Sequence, residues 1–142
     1  MNAIPQRCWE EVADGEDLAG FSLELTRTRM ALQVSGTQDF YPIHHDTAFA
    51  RGAGHEDIFI NTGFIRACLC RVLTDWIGAE GFVRRLAFQM RTPTFVGETI
   101  NARGRVTQKG PEGRVELEVW IENAGKGVTA PGSATVTLPS RR

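Results

Sequence analysis

The sequence predicts an α+β domain in which one long helix is wrapped by a curved antiparallel sheet. Three observations predict it. Phe64, Ile65, Cys68, Leu69, Val72, Leu73, Trp76 and Ile77 recur at helical spacing and form one broad apolar face. After Gly81 the apolar period shortens from about 3.6 to about 2, the alternation of a strand. Glycine-rich turns then cut the alternating region into several strands. A helix with so wide an apolar face has to be covered by the sheet that follows it.

The elements follow in order. Trp9 to Leu18 sets Trp9, Val12 and Leu18 among acidic residues and reads as an irregular leading segment. Phe21, Leu23 and Leu25 alternate with polar residues and predict a first strand. The apolar stretch Met30 to Thr37 is expected to be a second strand, ending at Ser35-Gly36. Asp46 can cap a short helix that Gly52 stops. Asn61 or Thr62 can cap the long helix, and Gly78 and Gly81 end it after about 16 residues, or about 24 Å. Leu86, Phe88 and Met90 alternate next, until Pro93 and Gly97 interrupt them. Ile100, Ala102 and Val106 continue, then Val115, Leu117, Val119 and Ile121, then Ala134, Val136 and Leu138. The turns are Lys109–Gly113 and Asn123–Gly127.

Composition narrows the function classes. The 142 residues carry 16 Lys and Arg against 17 Asp and Glu, a net charge of −1. That balance gives no electrostatic footprint for nucleic acid. Length and 42% hydrophobic content are enough for one domain spanning 1–142 with its own core. Cys8, Cys68 and Cys70 form no disulfide framework, which fits a reduced compartment. Met1 to Glu10 lacks a basic run followed by an apolar one, so no secretory leader is expected. Arg66, Arg71 and Asp75 break the most apolar stretch, Ile58 to Ile77, short of the ~18 residues of a membrane span. A cytoplasmic protein without membrane contact is the expectation.

The chemistry concentrates in Asp39-Phe40-Tyr41-Pro42-Ile43-His44-His45-Asp46. Pro42 pushes Tyr41 toward an extended conformation, so a turn can bring Asp39 and His44 together. An Asp–His pair can hold a water and move its protons. On these residues alone, a polar turn with Asp39 capping backbone amides and both histidines solvated is an equal reading. His45 would point away from His44. His55, Glu56 and Asp57 have no further His or Cys at ligand spacing, so no metal site is expected. Arg84, Arg85 and Arg91 can meet phosphates, although solvated strand arginines are the commoner case.

The same segment resembles the D-x-N-P-x-H signature of the MaoC-like, or R-specific, enoyl-CoA hydratases. Asp39, Pro42 and His44 hold the D, P and H positions, and Tyr41 stands where the signature has Asn. Asp46, Ala50 and Gly54 match positions downstream, and Pro93-Thr94-Phe95-Val96-Gly97-Glu98-Thr99 is similar to the family's P-x-x-x-G-D-T turn. Asp57-Ile58-Phe59-Ile60-Asn61 and Thr74-Asp75-Trp76-Ile77-Gly78 are similar to the small catalytic subunit of two-subunit hydratases of steroid side-chain degradation.

The resemblance implies a single hotdog fold and hydration of a trans-2-enoyl-CoA to a 3-hydroxyacyl-CoA. It implies Asp39 and His44 as catalytic residues, and no cofactor beyond the coenzyme A thioester of the substrate. The enolate-like transition state needs donors for the thioester oxygen, and the start of the long helix, at Asn61, Thr62 and Gly63, offers free N–H groups. The partner would be a second MaoC-like chain, as a homodimer or a heteromer. A hotdog thioesterase is the rival within the fold. It is disfavoured because Thr62 to Thr74 holds no carboxylate. The rival outside catalysis is a non-catalytic acyl-binding subunit.

Overall fold

A computed structural model describes residues 5–141. A short 3-10 turn, Trp9–Glu11, precedes the first strand, β1 (Phe21–Glu24). Three helices follow: α1 (Arg27–Thr37), α2 (Thr47–Gly52) and α3 (Thr62–Ile77). A 3-10 turn at Pro42–His44 separates the first two. The chain closes with β2 (Phe82–Phe88), β3 (Thr99–Lys109), β4 (Arg114–Asn123) and β5 (Gly127–Thr137).

The five strands form one antiparallel sheet in the order β1-β3-β4-β5-β2. Val115, Leu117, Val119 and Ile121 of β4 are buried. Glu116, Glu118, Trp120 and Glu122 alternate with them on the outer face, and Trp120 Nε1 donates to Glu122 Oε2 at 3.0 Å. The helix α3 lies across the inner face with Ile65, Cys68, Leu69, Val72, Leu73 and Ile77 buried. It comes close at Gly104 of β3, where a Cβ would stand 3.2 Å from Val72 Cγ1. Glycine there lets helix and sheet approach without a side chain between them.

The caps follow the expected chemistry. Asn61 accepts from the Phe64 N–H at 2.8 Å to start α3, and Gly78 ends it at φ 73°. Asp46 accepts from the Phe49 N–H at 3.1 Å to start α2. No helix among the described residues is long and apolar enough to cross a membrane.

One expected strand is a helix. Met30 to Thr37 forms most of α1, started by the Thr26 hydroxyl, which accepts from the Arg29 N–H. Met30, Gln33 and Val34 point inward at i, i+3 and i+4, while Leu32 lies outside. Hydropathy misleads here because a polar Gln33 takes an inward position and an apolar Leu32 an outward one.

Candidate active site

The turn that follows α1 brings Asp39 and His44 together. Gln38 adopts a left-handed conformation (φ 57°), which ends α1 and reverses the chain just before Asp39. Tyr41 is extended, as its proline neighbour requires, and Pro42 opens the 3-10 turn that carries His44. His44 Nε2 then lies 3.4 Å from Asp39 Oδ2. The imidazole is buried, whereas the carboxylate is 40% exposed. The ring meets Phe59 edge-on at 5.1 Å, and Tyr41 at 6.3 Å.

The other ring nitrogen fixes the chemistry of the first. His44 Nδ1 sits 2.8 Å from the Phe59 carbonyl oxygen, so it carries the proton and donates. In the neutral ring Nε2 is left with its lone pair, facing Asp39. In that state Nε2 and Asp39 Oδ2 are both acceptors, and the two hydrogens of one water can satisfy them together.

The start of α3 is tied to the same place. The Asn61 side chain donates to Thr37 Oγ1 at 2.7 Å, two residues before Asp39. The Phe59 carbonyl that receives His44 lies two residues before Asn61. The Asn61 N–H donates to Gln33 Oε1 at 2.9 Å. It is therefore occupied, and Asn61 serves as the helix cap. Thr62 and Gly63 follow in the first turn, whose N–H groups have no intrahelical acceptor and carry the positive end of the helix dipole. Gln33 and Thr37 escaped the sequence reading. The signal for them was the spacing Met30, Gln33, Val34, Thr37, which is that of one helix face.

The remaining candidates lie elsewhere. His45 is exposed, with Nε2 3.0 Å from the Phe40 carbonyl. Asp57 is engaged by the Thr47 hydroxyl and the Ile58 N–H, both at 2.8 Å. Among the described residues, no three His, Cys, Asp or Glu side chains are grouped to hold a metal ion. Arg84 and Arg85 hydrogen-bond Thr137 and Ser133 on β5, and Arg91 is exposed. Burial pushes the Cys68 thiol up to about 11, so it stays protonated and unreactive. Asp75, the first carboxylate along α3, is exposed beside Arg71.

No family model matches the chain. It is 31% identical over 106 residues to the 3-oxo-4,17-pregnadiene-20-carboxyl-CoA hydratase beta subunit of Mycobacterium tuberculosis, a match covering 74% of this chain and 78% of that protein. The chain belongs to the MaoC-like hydratase family. Solved structures share its fold. The ChsH1-ChsH2 complex of Mycobacterium tuberculosis superposes with a TM-score of 0.84 at 24% identity, over 89% of this chain and 98% of that one. The (R)-hydratase of A. caviae involved in PHA biosynthesis gives 0.84 at 23% identity, over 92% and 99%. The curled sheet around α3 is thus the hotdog fold of MaoC-like hydratases.

Proposed function

We propose that this chain is the catalytic subunit of an enoyl-CoA hydratase, adding water across a trans-2-enoyl-CoA to give a 3-hydroxyacyl-CoA. The observation that carries the proposal is the Asp39–His44 pair at 3.4 Å with Nδ1 engaged by a backbone carbonyl. Asp39 Oδ2 and His44 Nε2 each accept a hydrogen from one water, which turns its oxygen lone pair toward C3. As the C3–O bond forms, one water proton passes to the pair. The π electrons of the double bond move toward C2, and charge builds on the thioester oxygen. The N–H groups of Thr62 and Gly63 meet that charge. The proton is then returned to C2, so the pair ends as it began. No prosthetic group takes part in this scheme.

The acyl group is proposed to be bulky, of the steroid side-chain kind. The relative described above supports this, being named for a pregnadiene carboxyl-CoA. A second MaoC-like chain would complete the site. Phe40, Tyr41 and Phe49 are exposed beside the dyad, with Tyr41 and Phe49 in edge contact at 5.6 Å. The edge strand β2 is paired, among the described residues, with β5 alone. Apolar surface and a free sheet edge both call for a cover.

The test is hydration of trans-2-enoyl-CoAs, from short chains to a steroid side chain, by the chain alone and with a co-expressed second MaoC-like subunit. Asp39→Asn serves as control and should lower the rate by about 10²–10⁴. A folded protein inactive in every combination, or an Asp39→Asn variant as active as the parent, overturns the reading.

A further inference from the structure

Gln33 is buried and makes an unusual pair of contacts. Its Oε1 accepts from the Asn61 N–H at 2.9 Å, and its Nε2 donates to the Phe59 carbonyl at 3.4 Å. These two backbone groups flank Ile60 and point to one side of an extended segment. On the other side that segment is paired with the loop before β3: the Ile60 N–H donates to the Thr94 carbonyl, and the Val96 N–H to the Ile58 carbonyl. The Gln33 amide therefore stands where a neighbouring strand would stand. It needs both a donor and an acceptor to do so, which a carboxylate or an apolar side chain does not supply.

The segment it holds serves both halves of the candidate site. The Phe59 carbonyl also accepts from His44 Nδ1, so its position sets the tautomer and the aim of Nε2. Asn61 caps α3, so its position sets where the Thr62 and Gly63 N–H groups stand. The loop is closed by Thr37, which donates to the Gln33 carbonyl at 2.6 Å and accepts from Asn61 Nδ2. We infer that Gln33 is a positioning residue that holds the His44 base and the start of α3 in one fixed relation. The inference rests on the hydratase reading for its kinetic consequence, but not for its structural one.

The experiment uses Gln33→Met, which keeps the size and removes both hydrogen bonds. Two readouts are taken on the protein with its partner subunit where one is needed. The first is kcat and KM for the enoyl-CoA that the parent prefers. Expected is a fall in kcat of about 10-fold to 10²-fold with KM nearly unchanged, the scale of a misplacement near the reacting atoms. The second is the nitrogen NMR spectrum of His44 without substrate. At a pH where the ring is neutral, the parent should show the Nδ1-protonated tautomer alone, and the variant a mixture of tautomers.

A Gln33→Met protein that only melts earlier, with parental kcat per folded molecule and parental His44 signals, makes Gln33 a filler of the core and overturns the inference. An Nε2-protonated ring in the parent overturns it without any variant, so the inference stays exposed even if Gln33→Met does not fold. If the parent hydrates nothing but the His44 signals shift as expected, the hydratase reading falls and the positioning role of Gln33 stands.

Discussion

Along its length α3 buries Leu69, Val72, Leu73 and Ile77 against the sheet, whereas around its N-terminus the polar side chains of Asn61, Gln33 and His44 are buried alongside Phe59, Ile60 and Ile65. The apolar half is held by shape and by exclusion of water, which fix a helix as a body but tolerate small slides. The polar end is held by directed bonds to named atoms. Gln33, Thr37, Asn61 and the Phe59 carbonyl form a closed circuit in which His44 is one more member. Each buried polar group left without a partner there would cost about 1–3 kcal/mol, so the circuit is stable only when complete. Along α3, then, packing fixes one stretch and packing with directed bonds the other.

Paired truncations give that contrast its hardest test. His44→Ala should lower the hydration rate by about 10²–10⁴ while costing less stability than an apolar core truncation, because the Phe59 carbonyl keeps its bond from Gln33. Leu69→Ala, at a fully buried position, should cost about 2–5 kcal/mol of stability. Its activity per folded molecule should stay within about 2-fold of the parent, because an intact first turn of α3 still presents its N–H groups. Kinetics and thermal melts on the two proteins settle it. Similar losses of kcat in both would show that core packing, rather than the polar circuit, sets the site.

A smaller effect is expected at Gly63. A Cβ there would stand 2.9 Å from Thr37 Cγ2, too close to be accepted without a shift. Thr37 is pinned by Gln33 and Asn61, so the start of α3 has to move instead. Gly63→Ala should therefore lower kcat by about 10-fold, less than the ~10² of a full 1 Å displacement. Gly52→Ala is the control: nothing lies within 4 Å of its added Cβ. Steady-state kinetics on both variants would show whether the circuit at the N-terminus of α3 is as stiff as its bonds imply. A Gly63→Ala enzyme with parental kcat would show that it yields.

The same contrast explains what the sequence disclosed. The apolar half was legible because burial there is a matter of period. The runs from Phe64 to Ile77 and from Val115 to Ile121 each follow a single spacing, and the caps Asp46, Asn61 and Gly78 stand at their ends. The meeting of Asp39 and His44 was legible because the proline between them marks a turn. The polar circuit was not. Gln33 is inside and Leu32 outside, an inversion that makes Met30–Thr37 look like a strand when hydropathy alone is read. Gln33 earns its buried place through backbone groups of residues 59 and 61, which no local pattern in α1 announces. Likewise, the occupation of the Asn61 N–H, which leaves Thr62 and Gly63 as the free donors of that turn, depends on a partner 28 residues away.

The gentlest probe of the comparison is pH. Asp57 links the segment entering the site to α2: the Ile58 N–H and the Thr47 hydroxyl bond Oδ1, and Arg51 and Arg27 stand near Oδ2. The Ile58 N–H first, then the Thr47 hydroxyl, hold this carboxyl below the usual carboxylate range. A carboxyl whose folded value is lowered adds stability above its unfolded value, about 3.9, and that stability is lost as the pH falls through the folded value. Asp57→Asn should cost about 1–2 kcal/mol near neutral pH, the worth of charge-assisted bonds at a partly buried site. The difference from the parent should shrink as the pH drops below about 4. Hydrogen exchange should show where it acts. On acidification the amides of α2 should lose protection before those in the apolar half of α3, whose buried face carries no carboxylate. Simultaneous loss along both helices would mean that the polar end and the apolar half unfold as one unit, and that the division drawn between them holds for geometry but not for stability.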